Sequence, residues 1–529
     1  MPAEPSTISS LLTAAARTNP DRPAVVDPES RCTYAELDAG SRELAAGLVA
    51  AGISTGTRVG LLAPNGTAWV RTALAVTRIG AVLVPLSTLL TPPELLAQLQ
   101  VASVQVLIAA DEFRGRRYLA GLRAALDTEL VAPLLRPVVP ALRAVYSATS
   151  GSGLRGDAAA GAVADALAGA VTPGDPLVIL FTSGSRGAPK GVIHSHGGAL
   201  GAVRAGLTDR CIDGDTRLYL PMPFFWVGGF GSGVLTALAA GATLVTEAIP
   251  GTRETLRLLE RERVTLFRGW PEQGQALARA AAADGADLSA LRPGSLPALL
   301  PPEQQPAPGT RANLFGSTES FGPYCGYPAD TDLPDPARGS CGRPFAGTEV
   351  RVVDPETGES LLSNMIGEIW LRGPHLLLGI CGRSRAEVFT ADGWYRTGDL
   401  GRLDASGFLF HHGRSDDMVK VRGATVYPSE VERALRSLPQ VDGAYVTDLP
   451  GPRIAAAVVC QAGTTVRSLR AQVRTVLSAF KVPTVWLLLD TDDAVPRGGT
   501  GKVDLPALRA LLTARESVSS STERTGRTR

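Results

Sequence analysis

Residues 176–191 read PLVILFTSGSRGAPKG: an apolar run, Pro176 to Leu180, leads straight into a loop holding three hydroxyl side chains, three glycines, an arginine and a lysine. A run that is apolar on both faces is the signature of a strand inside a parallel sheet covered on both sides. After such a strand, glycines turn the chain sharply, and backbone N–H groups with the hydroxyls of Thr182, Ser183 and Ser185 can face an anion. Arg186 and Lys190 add mobile positive charge, and Gly184 and Gly187 supply the turns. A Walker loop is excluded, because GxxxxGK[ST] needs glycine where Pro189 stands and a hydroxyl residue where Gly191 stands. By itself the loop reads equally as a polyphosphate cradle or as a glycine-rich surface turn.

Working outward, strand-length apolar runs recur at RVGLLAPN (58–65), AVLVPLS (81–87), VQVLIAA (104–110), GATLVTEA (241–248) and RVTLF (263–267). Helix-like segments at 33–52 and 66–81 lie between several of them, which predicts an α/β body of parallel-rich sheets. Residues 150–175, rich in Gly and Ala, read as a surface connection. Near residue 340 the pattern changes to short strands with glycine turns, GTEVRVVD, GEIWLRG and GFLFHHGR, the mark of a small antiparallel, barrel-like β unit. A compact α+β unit follows, with a helix carrying Val431, Leu435 and Leu438 on one face, two strands, and a second helix over 467–480. Its apolar face is predicted to hold Leu469, Val473, Val476 and Phe480. The expected domains are 1–413, a mobile unit over 414–514, and a polar disordered tail over 515–529.

A chain of 529 residues is too long for one ordinary core, and 44% hydrophobic with 19% charged residues is a globular composition. The net charge of +1 gives no basic footprint for nucleic acid. Six cysteines are scattered without CxxC spacing, which points to reduced thiols rather than a zinc site or disulfide framework. No leader-like start and no long apolar run is present, so a cytoplasmic protein with no membrane partner is expected. The stretch GGFGSG (228–233) is too weak a pattern for a dinucleotide loop.

Four further segments carry chemistry. NLFGSTES (313–320) sets an amide, an aromatic ring, hydroxyls and the carboxylate of Glu319 close together, which could seat a purine and hold Mg²⁺ on phosphate oxygens. WYRTGDL (394–400) ends with Asp399 after a tight turn, where a carboxylate can accept ribose hydroxyls. GRSDDMVKVRG (413–423) puts charges where a linker belongs, and PRGGTGKV (496–503) carries Lys502 on a glycine-rich loop.

In this order the segments resemble the adenylate-forming superfamily of acyl-CoA synthetases, peptide-synthetase adenylation domains and firefly luciferase, and they look closest to actinobacterial acyl-CoA synthetases. The resemblance implies that Thr182, Ser183, Gly184, Ser185, Arg186, Gly187 and Lys190 close over the ATP phosphates. It implies that Phe315 and Gly316 flank adenine, that Asn313 reads its amino group, that Thr318 contacts phosphate and that Glu319 binds Mg²⁺. Asp399 and Arg414 match the ribose pair, Asp416 the hinge, Lys502 the adenylation lysine, and Lys420 to Gly423 the thiol side. Pocket-lining positions match Phe225, Trp226, Gly228, Gly269, Trp270, Ser317, Phe321 and Tyr324, whose bulk suggests a short, aromatic or flat acid.

The implied reaction forms an acyl-AMP from ATP, with release of pyrophosphate, and then passes the acyl group to CoA in a monomer or homodimer. Two other acceptors fit the same adenylation, a carrier-protein thiol or an amine, and the activated oxyanion could instead be nitrite, as in ATP-dependent diazotases that resemble acyl-CoA ligases. A catalytically inactive nucleotide-binding scaffold is the reading from another class. Three positions depart from the family pattern. Arg186 stands for a hydroxyl residue, Phe315 for tyrosine and Trp226 for a histidine, and the proline-rich segment Arg292 to Gly309 lacks the usual Gly-Gly-Ala-Pro adenine wall. If Lys502 neutralises charge during adenylation, Lys502→Ala should lower acid-dependent pyrophosphate release on the order of 10²- to 10³-fold; a rate near wild type removes the lysine from that step.

Overall fold

Pro176–Thr182 is a seven-residue strand, buried from Leu177 to Phe181, in the interior of a seven-stranded sheet. The computed structural model describes all residues except 1–3, 131, 133, 135, 149–153, 183–188, 416–418, 422–423, 452, 478–480, 500 and 526–529. Contacts divide the chain into two compact units, Met1–Val350 with Leu371–Tyr395, and Arg351–Trp370 with Arg396–Arg529. Residues 396–413 group with the second unit, where Tyr395–Leu403 and Leu409–Arg414 pair antiparallel in one sheet.

In the first unit the sheet order is Gly379–Ile380, Lys190–Ser195, Pro176–Thr182, Val82–Pro85, Arg58–Leu62, Val106–Ala109 and Ala144–Ser147. From Pro176–Thr182 outward to Ala144–Ser147 the neighbours are parallel, as the doubly apolar runs predict. Lys190–Ser195 instead returns antiparallel, with Lys190 opposite Thr182. The two ends of the 183–188 loop are thereby held one strand spacing apart, about 4.8 Å. A five-stranded sheet, in the order Leu266–Phe267, Arg217–Tyr219, Thr243–Val245, Pro23–Val26 and Arg31–Thr33, completes the α/β body.

The helices start where their caps stand. Thr33 and Glu36 form a capping box at the head of Tyr34–Ala50, and Thr67–Arg78 packs against that helix. Between them Arg78, 2% exposed, reaches the Asp38 carboxylate and the Ser41 hydroxyl. The segment expected as a surface connection contains a helix, Ala158–Ala170, capped by Asp157 through Ala160 N–H. Its run of alanines has the strongest helix propensity of any residue, and Ala160 and Ala164 are buried.

In the second unit, Glu349–Val353, Gly367–Arg372, Tyr395–Leu403 and Leu409–Arg414 form the four-stranded sheet at the chain crossings. A three-stranded sheet of Val441–Leu449, Arg453–Cys460 and Val485–Leu489 carries the helices Pro428–Arg436 and Val466–Val473. Val431, Leu435, Leu469 and Val473 are buried there as predicted. Val476 is 62% exposed, because the helix ends at Val473 and the next residues turn, and Phe480 lies outside the described residues. A helix runs over Leu505–Thr525, started by Asp504 accepting Ala507 N–H and anchored by buried Leu508 and Leu512. A nucleated helix propagates at little cost through residues that could not start one. Among the described residues no helix is long and apolar enough to cross a membrane.

Trp69 ties the first core together, with its ring centroid 5.2 Å from that of Phe224 and 5.8 Å from that of Phe230. Trp69→Ala should cost about 3–5 kcal/mol, read as a lower midpoint of the first thermal unfolding transition.

Candidate active site

Lys190 is the first residue of the strand that follows the loop, and its ammonium meets the carboxylate of Glu319 at 2.5 Å. It also donates to the Tyr395 hydroxyl at 3.2 Å. Glu319 sits in the turn between the strands Phe315–Ser317 and Gly322–Gly326, which the Ser320 hydroxyl closes by accepting from Ser317 N–H and donating to the Gly322 carbonyl. The backbones approach so closely here that a Cβ on Gly316 would lie 2.0 Å from the Gly322 oxygen. Burial by itself raises the Glu319 carboxyl, but the charge and hydrogen bond of Lys190, with help from its own backbone N–H and Tyr395, hold it below the usual carboxylate range.

His194, on the same strand as Lys190 and fully buried, meets the Thr318 carbonyl at 2.7 Å. A carbonyl only accepts, so Nε2 carries the proton; burial pushes the imidazole down to about 4, and the ring is neutral. Its edge packs on Phe321 at 4.9 Å between centroids. Thr318 and Glu319 are thus held by Lys190, His194 and, through the Glu319 carbonyl, Leu377 N–H. His194 and Tyr395 are site residues that the sequence reading does not name: His194 stands three residues past the quoted loop with no local signal, whereas Tyr395 lies inside WYRTGDL.

Phe315 stacks edge-on against Tyr324 at 5.5 Å, and Asn313 is exposed, held by its backbone N–H on the Ser340 carbonyl. Thr182 ends its strand opposite Lys190, whereas Ser183, Gly184, Ser185, Arg186 and Gly187 lie outside the described residues. Among the pocket candidates, Phe225, Trp226 and Trp270 form an aromatic wall, with centroids 5.9 and 6.2 Å apart and rings near perpendicular. Gly228 and Gly269 are packed tightly: a Cβ on either would lie within 2.8 Å of Met222 Sδ or Gln273 Oε1. Phe321 packs instead on Phe230, at 6.3 Å.

In the second unit Asp399 and Arg414 stand directly opposite each other on adjacent antiparallel strands, with guanidinium and carboxylate 3.5 Å apart. Gly398 makes this possible: its φ is +73°, and a Cβ there would lie 2.9 Å from the Arg414 guanidinium. Lys502 is exposed at the close of a tight loop in which Gly498 N–H bonds to the Lys502 carbonyl and Gly501 N–H to the Gly498 carbonyl. Arg497, paired with Asp492, anchors the loop's first residue. Lys420 lies on the strand Val419–Val421 opposite Thr425; Asp416 and Gly423 lie outside the described residues.

Among the described residues no three acidic, histidine or cysteine side chains gather as a metal cluster. That fits Mg²⁺, which binds through one or two carboxylates plus substrate phosphates rather than in an all-protein cage. Glu319, largely buried with its carboxyl held below the usual range, has the chemistry such a site would use.

Removing the cation leaves a largely buried carboxylate unpaired. Lys190→Met should cost about 2–3 kcal/mol, and most of that loss should vanish in the Lys190→Met/Glu319→Gln double variant. Because the native Glu319 carboxyl is depressed, its contribution is full above the ordinary glutamate value of about 4.3 and fades as pH falls through the lower native one. Denaturation of the three proteins between pH 3 and 7 checks both points.

Comparison with known proteins gives one consistent set of relatives. The sequence pattern of the AMP-binding enzymes matches residues 12–381. A 3-(7a-methyl-1,5-dioxo-octahydro-1H-inden-4-yl)propanoyl:CoA ligase of Mycobacterium tuberculosis is 35% identical over 96% of this chain and 99% of its own. A feruloyl-CoA synthase of Amycolatopsis is 33% identical over 92% and 95%. The crystal structure of an anthranilate CoA ligase with anthranoyl-AMP superposes with a TM-score of 0.78 at 22% identity, covering 96% of this chain and 97% of that one. At that identity the likeness speaks for the fold.

Proposed function

Because the chain belongs to the AMP-binding enzyme family and is an AMP-forming ligase, we propose that it joins a small-molecule carboxylic acid to CoA by way of an acyl-AMP. The observation that carries this reading is the convergence of Lys190, Glu319 and the His194-held Thr318 at one point of the first unit. The thiol acceptor is supported by relatives of near-equal length named as a CoA ligase and a feruloyl-CoA synthase.

In the first half-reaction an acid carboxylate oxygen attacks the α-phosphorus of ATP in line. The new P–O bond forms as the bond to pyrophosphate breaks. Lys190 leaves Glu319 to meet the phosphates, and the Thr182 end of the loop closes over the leaving group. Glu319 is the residue that would hold Mg²⁺, which when bound would supply charge neutralisation at the phosphates. Phe315 and Asn313 take adenine, Asp399 and Arg414 the ribose hydroxyls, and Lys502 steadies the charge that builds on the transferring group. In the second half, rotation about Asp416 withdraws Lys502 and brings Lys420 to Gly423 to the acceptor side. The CoA thiol, losing its proton, attacks the acyl carbon and AMP departs.

A screen of carboxylic acids with ATP, Mg²⁺ and hydroxylamine, run with and without CoA, tests this reading. The expected result is acid-dependent pyrophosphate release, with thioester and AMP accumulating only when CoA is added. Turnover that never yields a CoA thioester overturns the acceptor, and the absence of pyrophosphate release with every acid overturns the adenylation.

A further inference from the structure

The stretch GGFGSG has an unusual conformation. The helix Val227–Gly229 passes into a π-helical turn, Phe230–Leu235, before resuming α geometry at Thr236–Ala240. A π-turn inserts a residue into the helical ladder and widens it, and such turns gather at functional sites. Glycine is what the packing tolerates here: a Cβ on Gly229 would lie 2.0 Å from the Pro223 oxygen, and one on Gly231 would lie 3.1 Å from the Phe321 ring. The bare face at Gly231 therefore lies flat against Phe321, a residue of the proposed acyl pocket.

What holds the turn open is a buried charge. Arg210, 5% exposed, donates from Nη2 to the Ser232 carbonyl at 2.9 Å and from Nη1 to the Thr236 hydroxyl at 3.1 Å. The Thr236 hydroxyl passes the connection on to the Gly231 carbonyl at 2.8 Å. Behind it Arg268, the residue before Gly269 and Trp270, donates to the Arg210 carbonyl at 2.9 Å. Neither arginine makes an ion pair with a carboxylate among the described residues; burial and the neighbouring guanidinium push Arg210 down to about 9. An uncompensated buried cation destabilises a fold, so its retention calls for a use. Here the Arg210 guanidinium bonds to the π-turn at the Ser232 carbonyl and to Thr236, the first residue after it.

We propose that Arg210, through Ser232 and Thr236, is the positioning residue that keeps the π-turn wound and so shapes the acyl pocket for a ring-bearing acid rather than a straight-chain one. The inference rests on the ligase reading given above. Without the guanidinium, the Ser232 and Gly231 carbonyls return to α-helical partners. The extra residue is then absorbed, and the face against Phe321 rotates toward the pocket. A planar or fused ring seated against the Phe225–Trp226–Trp270 wall loses its place, whereas a thin alkyl chain does not.

The test compares kcat/KM for pyrophosphate release with 3-phenylpropanoate and cinnamate against hexanoate and octanoate, in the wild type, Arg210→Met, Thr236→Val and Thr236→Ser. Wild type should prefer the ring acids. Arg210→Met and the isosteric Thr236→Val should lose on the order of 10- to 10²-fold on ring acids alone, leaving straight-chain acids and the KM for ATP near wild type. Thr236→Ser, which keeps the hydroxyl, should keep the wild-type preference. A uniform loss on all acids in Thr236→Val, an unchanged preference, a Thr236→Ser protein that behaves like Thr236→Val, or a wild type that favours straight chains overturns the proposal while leaving the ligase reading intact. If no acid supports pyrophosphate release in the wild type, the ligase reading itself fails and takes this inference with it.

Discussion

The ion pair of Lys190 with Glu319 joins segments 129 residues apart and sets the geometry of the first unit's site. Lys190 can reach the glutamate only because its strand pairs antiparallel with Pro176–Thr182, which returns the chain to the point where the loop began. Glu319 can receive it only because the Ser317–Ser320 hydroxyl network and the close approach at Gly316 turn the chain outward there. Each charge pays part of the other's desolvation cost, so neither is stable in this place alone. Such a pair is suited to exchange: an incoming phosphate can take the ammonium and a divalent cation the carboxylate, with charge balance kept throughout.

The second unit solves a similar problem with backbone instead of charge. Asp399 and Arg414 face one another because two strands share a register, and Gly398 gives the guanidinium room by adopting a left-handed φ. Lys502, by contrast, is exposed on a loop closed by its own backbone hydrogen bonds, with Arg497 and Asp492 as the anchor. The first arrangement fixes two side chains against each other, and the second presents one to solvent.

Much of this was legible beforehand. Runs such as Arg58–Leu62 and Val106–Ala109 became parallel strands, since burial on both faces leaves a continuous apolar signal. The motifs around Glu319, Asp399 and Lys502 were legible because the chemistry of each needs particular residue types at short spacing. Long-range partners were not: nothing local announces that His194 lies under Thr318 or that Tyr395 reaches Lys190. Composition also misled. Alanine and glycine over 150–175 suggested a connection where a capped helix stands.

By itself the sequence determined the α/β class, the order of the chemical motifs and the family they resemble, because periodicity, turn residues and loop chemistry act over a few neighbouring positions. Only the tertiary structure decided which of those residues meet. The Lys190–Glu319 contact, the Asp399–Arg414 register and the Arg210-braced π-turn each depend on strands or helices brought together across many residues, and desolvation makes such contacts strong only once the surrounding core excludes water.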